Sequence, residues 1–167
     1  KGRTVFIGDT SIHEKPSGLQ MSEIAIAIAE KAKSIGHVPR VAFLSFSNFG
    51  NFDSPITDSL REAVKILDNK NVDFEYEGEM TVDIALDFDL MKSRYPFSRL
   101  SGPANILIMP GIHSANISFN LMQQLGGGSV IGPMILNAKY PFQIIQMGST
   151  VNDLVNSAAL AAYESIK

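Results

Sequence analysis

Polar side chains able to do chemistry gather where apolar runs stop. The run 106–109 ends in Pro110-Gly111, and His113-Ser114-Ala115-Asn116 follows at once. A histidine there has the chemistry of a general base or, equally, of a helix cap. Thr150-Val-Asn-Asp153 offers the same choice. Asp153 can be a base, or the third helical position of a capping box begun by Thr150, where the macrodipole favours a carboxylate. Other polar clusters are Asp9-Thr10, Ser45-Phe46-Ser47-Asn48 and Glu77-Gly78-Glu79. His13 and His37 have no spacing partner that makes a metal site. No glycine-rich nucleotide motif is present, and Gly126-Gly127-Gly128 reads as a helix stop.

The elements that must position these residues alternate between strand and helix. A strand is expected over 4–7 and a helix begun by the capping pair Ser17 and Gln20, with Ile24, Ile28 and Ile35 on one face and Gly36 at its end. A strand over 40–46 follows, then a helix started by Ser54-Pro55 with Leu60, Val64 and Leu67 inward. A short strand over 72–76, a turn at 77–79 and a helix over 80–86 come next. The segment 87–99, broken by Pro96, is expected on the surface. The strand 106–109 leads to a helix carrying Ile117, Leu121 and Leu125. Further strands are expected over 129–135 and 142–145, and a last helix over 151–166. Nearly continuous apolar strands alternating with helices predict a three-layer αβα fold with a largely parallel sheet. Ligands in such folds sit outside the carboxyl ends of the strands.

The 167 residues fit one domain over 1–167, large enough to bury roughly 70% of its unfolded surface. A net charge of −3 with no long basic run excludes the usual nucleic-acid and anionic-membrane binders. No run is long enough to span a bilayer. The absence of cysteine removes disulfide and thiolate chemistry and fits a reducing, cytoplasmic setting. The first residue is not methionine, and a strand follows almost directly, so the chain is expected to be a piece of a longer polypeptide.

RVAFLSFS (40–47), YEGEMTVDIAL (76–86), SGPANILIMPGIHSANIS (101–118), GGGSVIGPMIL (127–136) and GSTVNDLVNSAALAA (148–162) together resemble the phosphate acetyl/butyryl transferase family. The stretches 95–105 and 109–118 look most like the phosphotransacetylase-like domain at the carboxyl end of large NADP-dependent malic enzymes. The resemblance implies a fold like that of isocitrate and isopropylmalate dehydrogenases, with two subdomains, a cleft and at least a dimer. This chain matches the second subdomain plus the final helix.

By the same resemblance, the family's catalytic aspartate falls on Asp153. The candidate acyl-CoA residues are Ser47, Asn48, His113, Ser114, Asn116, Gln146, Met147 and Gly148. Two departures stand out. Gln146-Met147 occupies the place of a Ser-Arg pair, and Ser47-Asn48-Phe49-Gly50 lacks the basic residue that the family carries before the glycine. The resemblance therefore implies a domain that binds acetyl-CoA for regulation and assembly but is silent as an acyltransferase. Malate oxidative decarboxylation, NADP and a divalent metal are expected only in upstream domains, and this chain is expected to hold no cofactor or metal. The alternatives are a working phosphate acetyltransferase, drawing cations from elsewhere or from Arg40, Arg94 or Arg99, and a ligand-free oligomerisation module.

Overall fold

The computed structural model describes residues 2–9, 11–126, 130–145 and 147–166. The chain forms two compact units, Lys1–Phe119 and Asn120–Lys167.

In the first unit, β1 (Phe6–Gly8), β2 (Arg40–Leu44), β3 (Glu75–Met80) and β4 (Ile106–Ile108) form one parallel sheet in the order β1-β4-β2-β3. The helices α1 (Gly18–Ser34) and α2 (Pro55–Lys70) connect β1 to β2 and β2 to β3. The short helices α3 (Val82–Leu86) and α4 (Phe88–Arg94) carry the chain back to β4 in the middle of the sheet. That return reverses the winding, so right-handed crossovers place the two helix pairs on opposite faces. Core packing agrees. Ala42 and Leu44 of β2 cluster with Met80, Ile84 and Met91, while α1 and α2 contribute Met21, Leu60 and Leu67 elsewhere in the core. Each such buried side chain stabilises the fold by about 1.5–3 kcal/mol relative to exposure.

Local signals in the sequence become the observed caps. Ser17 and Gln20 form a reciprocal capping box at α1, and Ser54 and Thr57 form another at α2, with Pro55 in its first turn. Gly36 ends α1 in a left-handed conformation.

Three expectations fail in instructive ways. Glu77-Gly78-Glu79 is not a turn but part of β3, paired with Ala42 and Phe43 of β2. Two glutamates look like a turn to a hydropathy pattern, yet both are buried in polar contacts described below. Gly78 is required there, because a Cβ would lie 2.7 Å from the Phe43 Cβ. The segment 87–99 is not merely a surface stretch. Asp87 caps α4 by accepting from the Leu90 N–H, and Met91 and Ser98 are buried. The strands expected over 129–135 and 142–145 are absent from the described residues, of which 129 is not one. Pro133 removes a ladder donor inside the first of them.

The helix α5 (Ile112–Leu125) begins in the first unit. Its expected apolar stripe of Ile117, Leu121 and Leu125 faces outward. The second unit contains the end of α5 and α6 (Val151–Ser165). Ser157 is the one buried residue among its described residues, so this unit has no apolar core of its own. No helix among the described residues is long and apolar enough to cross a membrane.

Candidate functional site

Parallel strands end together, so the loops leaving β1, β4, β2 and β3 line one edge of the first unit's sheet in that order.

At the end of β1, Asp9 closes a tight loop. Its Oδ1 accepts from the Ser11 and Ile12 N–H groups at 3.1 and 3.0 Å, and its Oδ2 accepts from the His13 N–H at 3.0 Å. The His13 Nδ1 lies 2.5 Å from that same oxygen. Burial pushes the Asp9 carboxyl up, but His13 and the three backbone donors outweigh it and hold it below the usual aspartate value. Beside it, Ile112 N–H donates to the Glu14 carbonyl, tying this loop to the end of β4. Ser114 spends its hydroxyl on the Gly111 carbonyl at 2.9 Å, while His113 and Asn116 are exposed on the first turns of α5.

At the end of β2, the candidate residues are engaged by their own fold. Ser47 is buried, and its Oγ accepts from the Phe52 N–H at 3.1 Å. Asn48 Oδ1 accepts from the Thr81 N–H at 2.8 Å, bracing the start of α3. Phe49 is left-handed at φ 48°. Its ring packs 4.8 Å from Tyr95 and 5.0 Å from Phe97, centroid to centroid. Phe46, Phe52 and Phe97 are about two-thirds exposed around it.

Two acids that read as a turn in the sequence prove central. Glu77 accepts from the Arg99 N–H at 3.0 Å and from its guanidinium at 3.2 and 3.3 Å. Arg99 reaches on to Asp68 at 2.6 Å and lies over the Tyr76 ring at 4.6 Å. Tyr76 donates its hydroxyl to the same Asp68 oxygen, and burial followed by that bond pushes the phenol up to about 12. Glu79 is fully buried, and its Oε1 accepts from the Gly50 N–H at 2.9 Å, with Arg61 at 3.4 Å. Arg61 does not figure among the candidates read from the sequence, and Glu79 figures only as part of a polar cluster. The available signal was the spacing of two acids on one strand with two arginines, at 61 and 99, to meet them.

In the second unit, Asp153 serves the cap. Its Oδ2 accepts from the Thr150 N–H and hydroxyl, both at 2.8 Å, and Thr150 Oγ1 accepts from the Asp153 N–H at 3.2 Å. The Thr150 backbone bond, then the side-chain bond, hold this carboxyl below the usual value, which weakens it as a base. A pocket of about 300 Å³ beside it is lined by Gln123, Val130, Ile144, Asn152 and Ser157 among others. Asp153 is the single charged residue among its described lining. Met147 is fully exposed, Gly148 is left-handed at φ 91°, and Gln146 lies outside the described residues. Ser47, Asn48, His113, Ser114 and Asn116 thus share an edge of the first unit, whereas Met147, Gly148 and Asp153 belong to the second.

Of the three arginines considered for an anion, Arg99 and Arg40 are engaged or misplaced, and Arg94 is exposed at the end of α4. Arg99 is paired as above, and Arg40 donates to the Pro103 carbonyl from the start of β2, the edge opposite the loops. No arginine occurs after residue 99.

A four-stranded parallel sheet with helices on both faces and its polar loops at the carboxyl edge defines an open α/β class, and comparison gives that class its family. The phosphate acetyl/butaryl transferase family matches residues 1–162, and the chain belongs to it. Over 99% of its length the chain is 48% identical to an NADP-dependent malic enzyme of Rhizobium meliloti, covering 22% of that protein. It is 35% identical to the Escherichia coli NADP-dependent malic enzyme, covering 96% of this chain and 21% of that one. The EutD phosphotransacetylase from Staphylococcus aureus superposes with a TM-score of 0.88 at 28% identity, covering 99% of this chain and 52% of the other. The chain therefore spans about a fifth of the malic enzymes and about half of the phosphotransacetylase it matches.

Proposed function

We propose that this chain is the phosphotransacetylase-like domain of an NADP-dependent malic enzyme, silent in acyl transfer and kept as an acetyl-CoA-binding regulatory and assembly domain of a cytoplasmic protein. Malate oxidative decarboxylation, with its NADP and divalent metal, belongs to other parts of that protein. The observation that carries the silence is the charge of the pocket beside Asp153. Acetyl phosphate is a dianion, and such groups are held by guanidinium or ammonium donors. Here the described lining offers one carboxylate and no cation. By the resemblance, Met147 and, in the first unit, Phe49 stand at positions where the family is basic. Each missing donor removes roughly 3 kcal/mol of transition-state stabilisation. Asp153, held ionised by its cap, also repels the incoming phosphate.

The regulatory part requires acetyl-CoA to prefer one of two states of the protein by about 1–3 kcal/mol. Assembly into at least a dimer is supported by the second unit's uncovered apolar residues, Val151, Leu154, Val155 and Ile166 on and beside α6. Neither nucleic acid nor membrane enters this function.

Calorimetric titration with acetyl-CoA and, separately, with phosphate tests the proposal, alongside malate oxidation with and without acetyl-CoA. Acetyl-CoA binding without phosphate binding, together with altered malate turnover, is the expected result. Binding of both, with acetyl-CoA formed from acetyl phosphate and coenzyme A, overturns the silence. Binding of neither leaves a module for assembly alone.

A further inference from the structure

The loop after β2 makes two consecutive left-handed steps, Phe49 at φ 48° and Gly50 at φ 85°. A left-handed phenylalanine is disfavoured, so this shape persists only where its surroundings hold it. The end of β3 does so at three points. The Glu79 carbonyl accepts from the Phe49 N–H at 2.8 Å, the Glu79 carboxylate accepts from the Gly50 N–H, and Thr81 donates its N–H to Asn48 Oδ1.

The carboxylate itself is an expensive choice. Glu79 is fully buried, its one cation is 3.4 Å away, and its Oε2 has no hydrogen-bond partner. Ser45 Oγ, just past the end of β2, is a second buried orphan. A buried charge with an unsatisfied oxygen weakens a fold relative to a neutral or apolar side chain of similar size. Its use here lies in the loop it shapes.

We infer that Glu79 is a positioning residue for ligand binding, a buried carboxylate whose bond to the Gly50 N–H fixes Ser47, Asn48 and Phe49 in the ligand-binding shape. This rests on the proposed acetyl-CoA site, and the test separates the two. Four forms of the full chain are compared: the wild type, Glu79→Leu, Glu79→Gln, and Leu67→Ala as a core control remote from the loop. Acetyl-CoA affinity is read by calorimetry, stability by thermal melting, and the loop by hydrogen exchange over residues 46–53.

Glu79→Leu leaves the Gly50 N–H without its acceptor. It is expected to weaken acetyl-CoA binding and speed loop exchange at least about tenfold, the value of one hydrogen bond to a charged group. Its melting temperature should fall less than that of Leu67→Ala, which should bind as the wild type does. Glu79→Gln keeps a carbonyl for Gly50 and is expected to retain loop protection and binding with no loss of stability, a rescue that a merely structural ion pair with Arg61 would not show. Wild-type affinity in Glu79→Leu, or equal weakening in Leu67→Ala, overturns the inference. If the wild type fails to bind acetyl-CoA, the proposed function falls. The exchange data then decide alone: lost protection in Glu79→Leu supports Glu79 as the residue that shapes the loop, and retained protection overturns it.

Discussion

Glu79 and Asp153 are both acids in candidate sites, and their surroundings treat them in opposite ways. Glu79 is sealed in the first unit between β2, α2 and its own strand, and every bond it accepts comes from a residue far away in sequence. Asp153 stands at the exposed start of α6, and each bond it makes goes to Thr150, three residues back. The contrast teaches that family position and local environment carry different information. The resemblance puts the family's catalytic aspartate at Asp153, whereas the environment around it supplies a helix cap and, among the described lining of its pocket, no cation. The acid that the fold itself constrains is the one whose sequence looks like a turn.

The largest effect that sharpens this contrast is in packing. Phe43 is fully buried in β2, so Phe43→Ala should destabilise the first unit by about 3–5 kcal/mol in urea unfolding. Leu154→Ala, on the half-exposed face of α6, should change stability by no more than about 1 kcal/mol. Comparable losses at the two positions would show that α6 is covered far more completely than its own unit covers it.

A smaller effect separates cap from base. Thr150→Ala removes the acceptor for the Asp153 N–H and should lower stability by about 1 kcal/mol. Asp153→Asn keeps an oxygen for the Thr150 N–H, so it should cost less than Thr150→Ala and leave acyl transfer at the background rate of the wild type. Transfer of acetyl from acetyl phosphate to coenzyme A that disappears in Asp153→Asn would reverse the comparison and make Asp153 the working residue.

The parts of the fold that were legible in the sequence are those decided locally. Ser17 with Gln20, Ser54 before Pro55, and Thr150 with Asp153 each announce a helix start within four residues, and each cap forms. The parallel α/β class was legible too, since apolar strands alternating with helices fit few architectures. What was not legible depends on distant partners. Glu77 and Glu79 enter a strand because Arg99, Arg61 and Gly50 meet them inside the fold. The segment 87–99 joins the core because Met91 finds Leu44 and Leu100 beside it. The runs 130–135 and 142–145 have strand composition, but composition does not supply a neighbouring strand. Of the polar clusters expected at strand ends, those after β1, β2 and β4 lie at the carboxyl edge, whereas Glu77-Gly78-Glu79 lies inside β3 and 148–153 follows no strand among the described residues. That Ser47 and Asn48 are held by Phe52 and Thr81 was not legible.

The finest distinction between the two units is in acid. Asp9 in the first unit and Asp153 in the second both have carboxyls held below the ordinary aspartate value of 3.8. A depressed native value means the unfolded chain binds the proton more readily, so each group's contribution is fully present above that ordinary value and is lost as pH falls through the native one. Both are half-buried, but Asp9 is joined to the His13 imidazole and three backbone donors, whereas Asp153 is joined only to Thr150. More donors hold the ionised form of Asp9. Urea midpoints measured from pH 6 down to 2.5 should therefore fall more steeply in the wild type than in Asp9→Asn, while Asp153→Asn should follow the wild-type slope closely. Equal slopes in the wild type and Asp9→Asn would mean that burial of Asp9 cancels its hydrogen bonds, and the two acids would then differ only in what they touch.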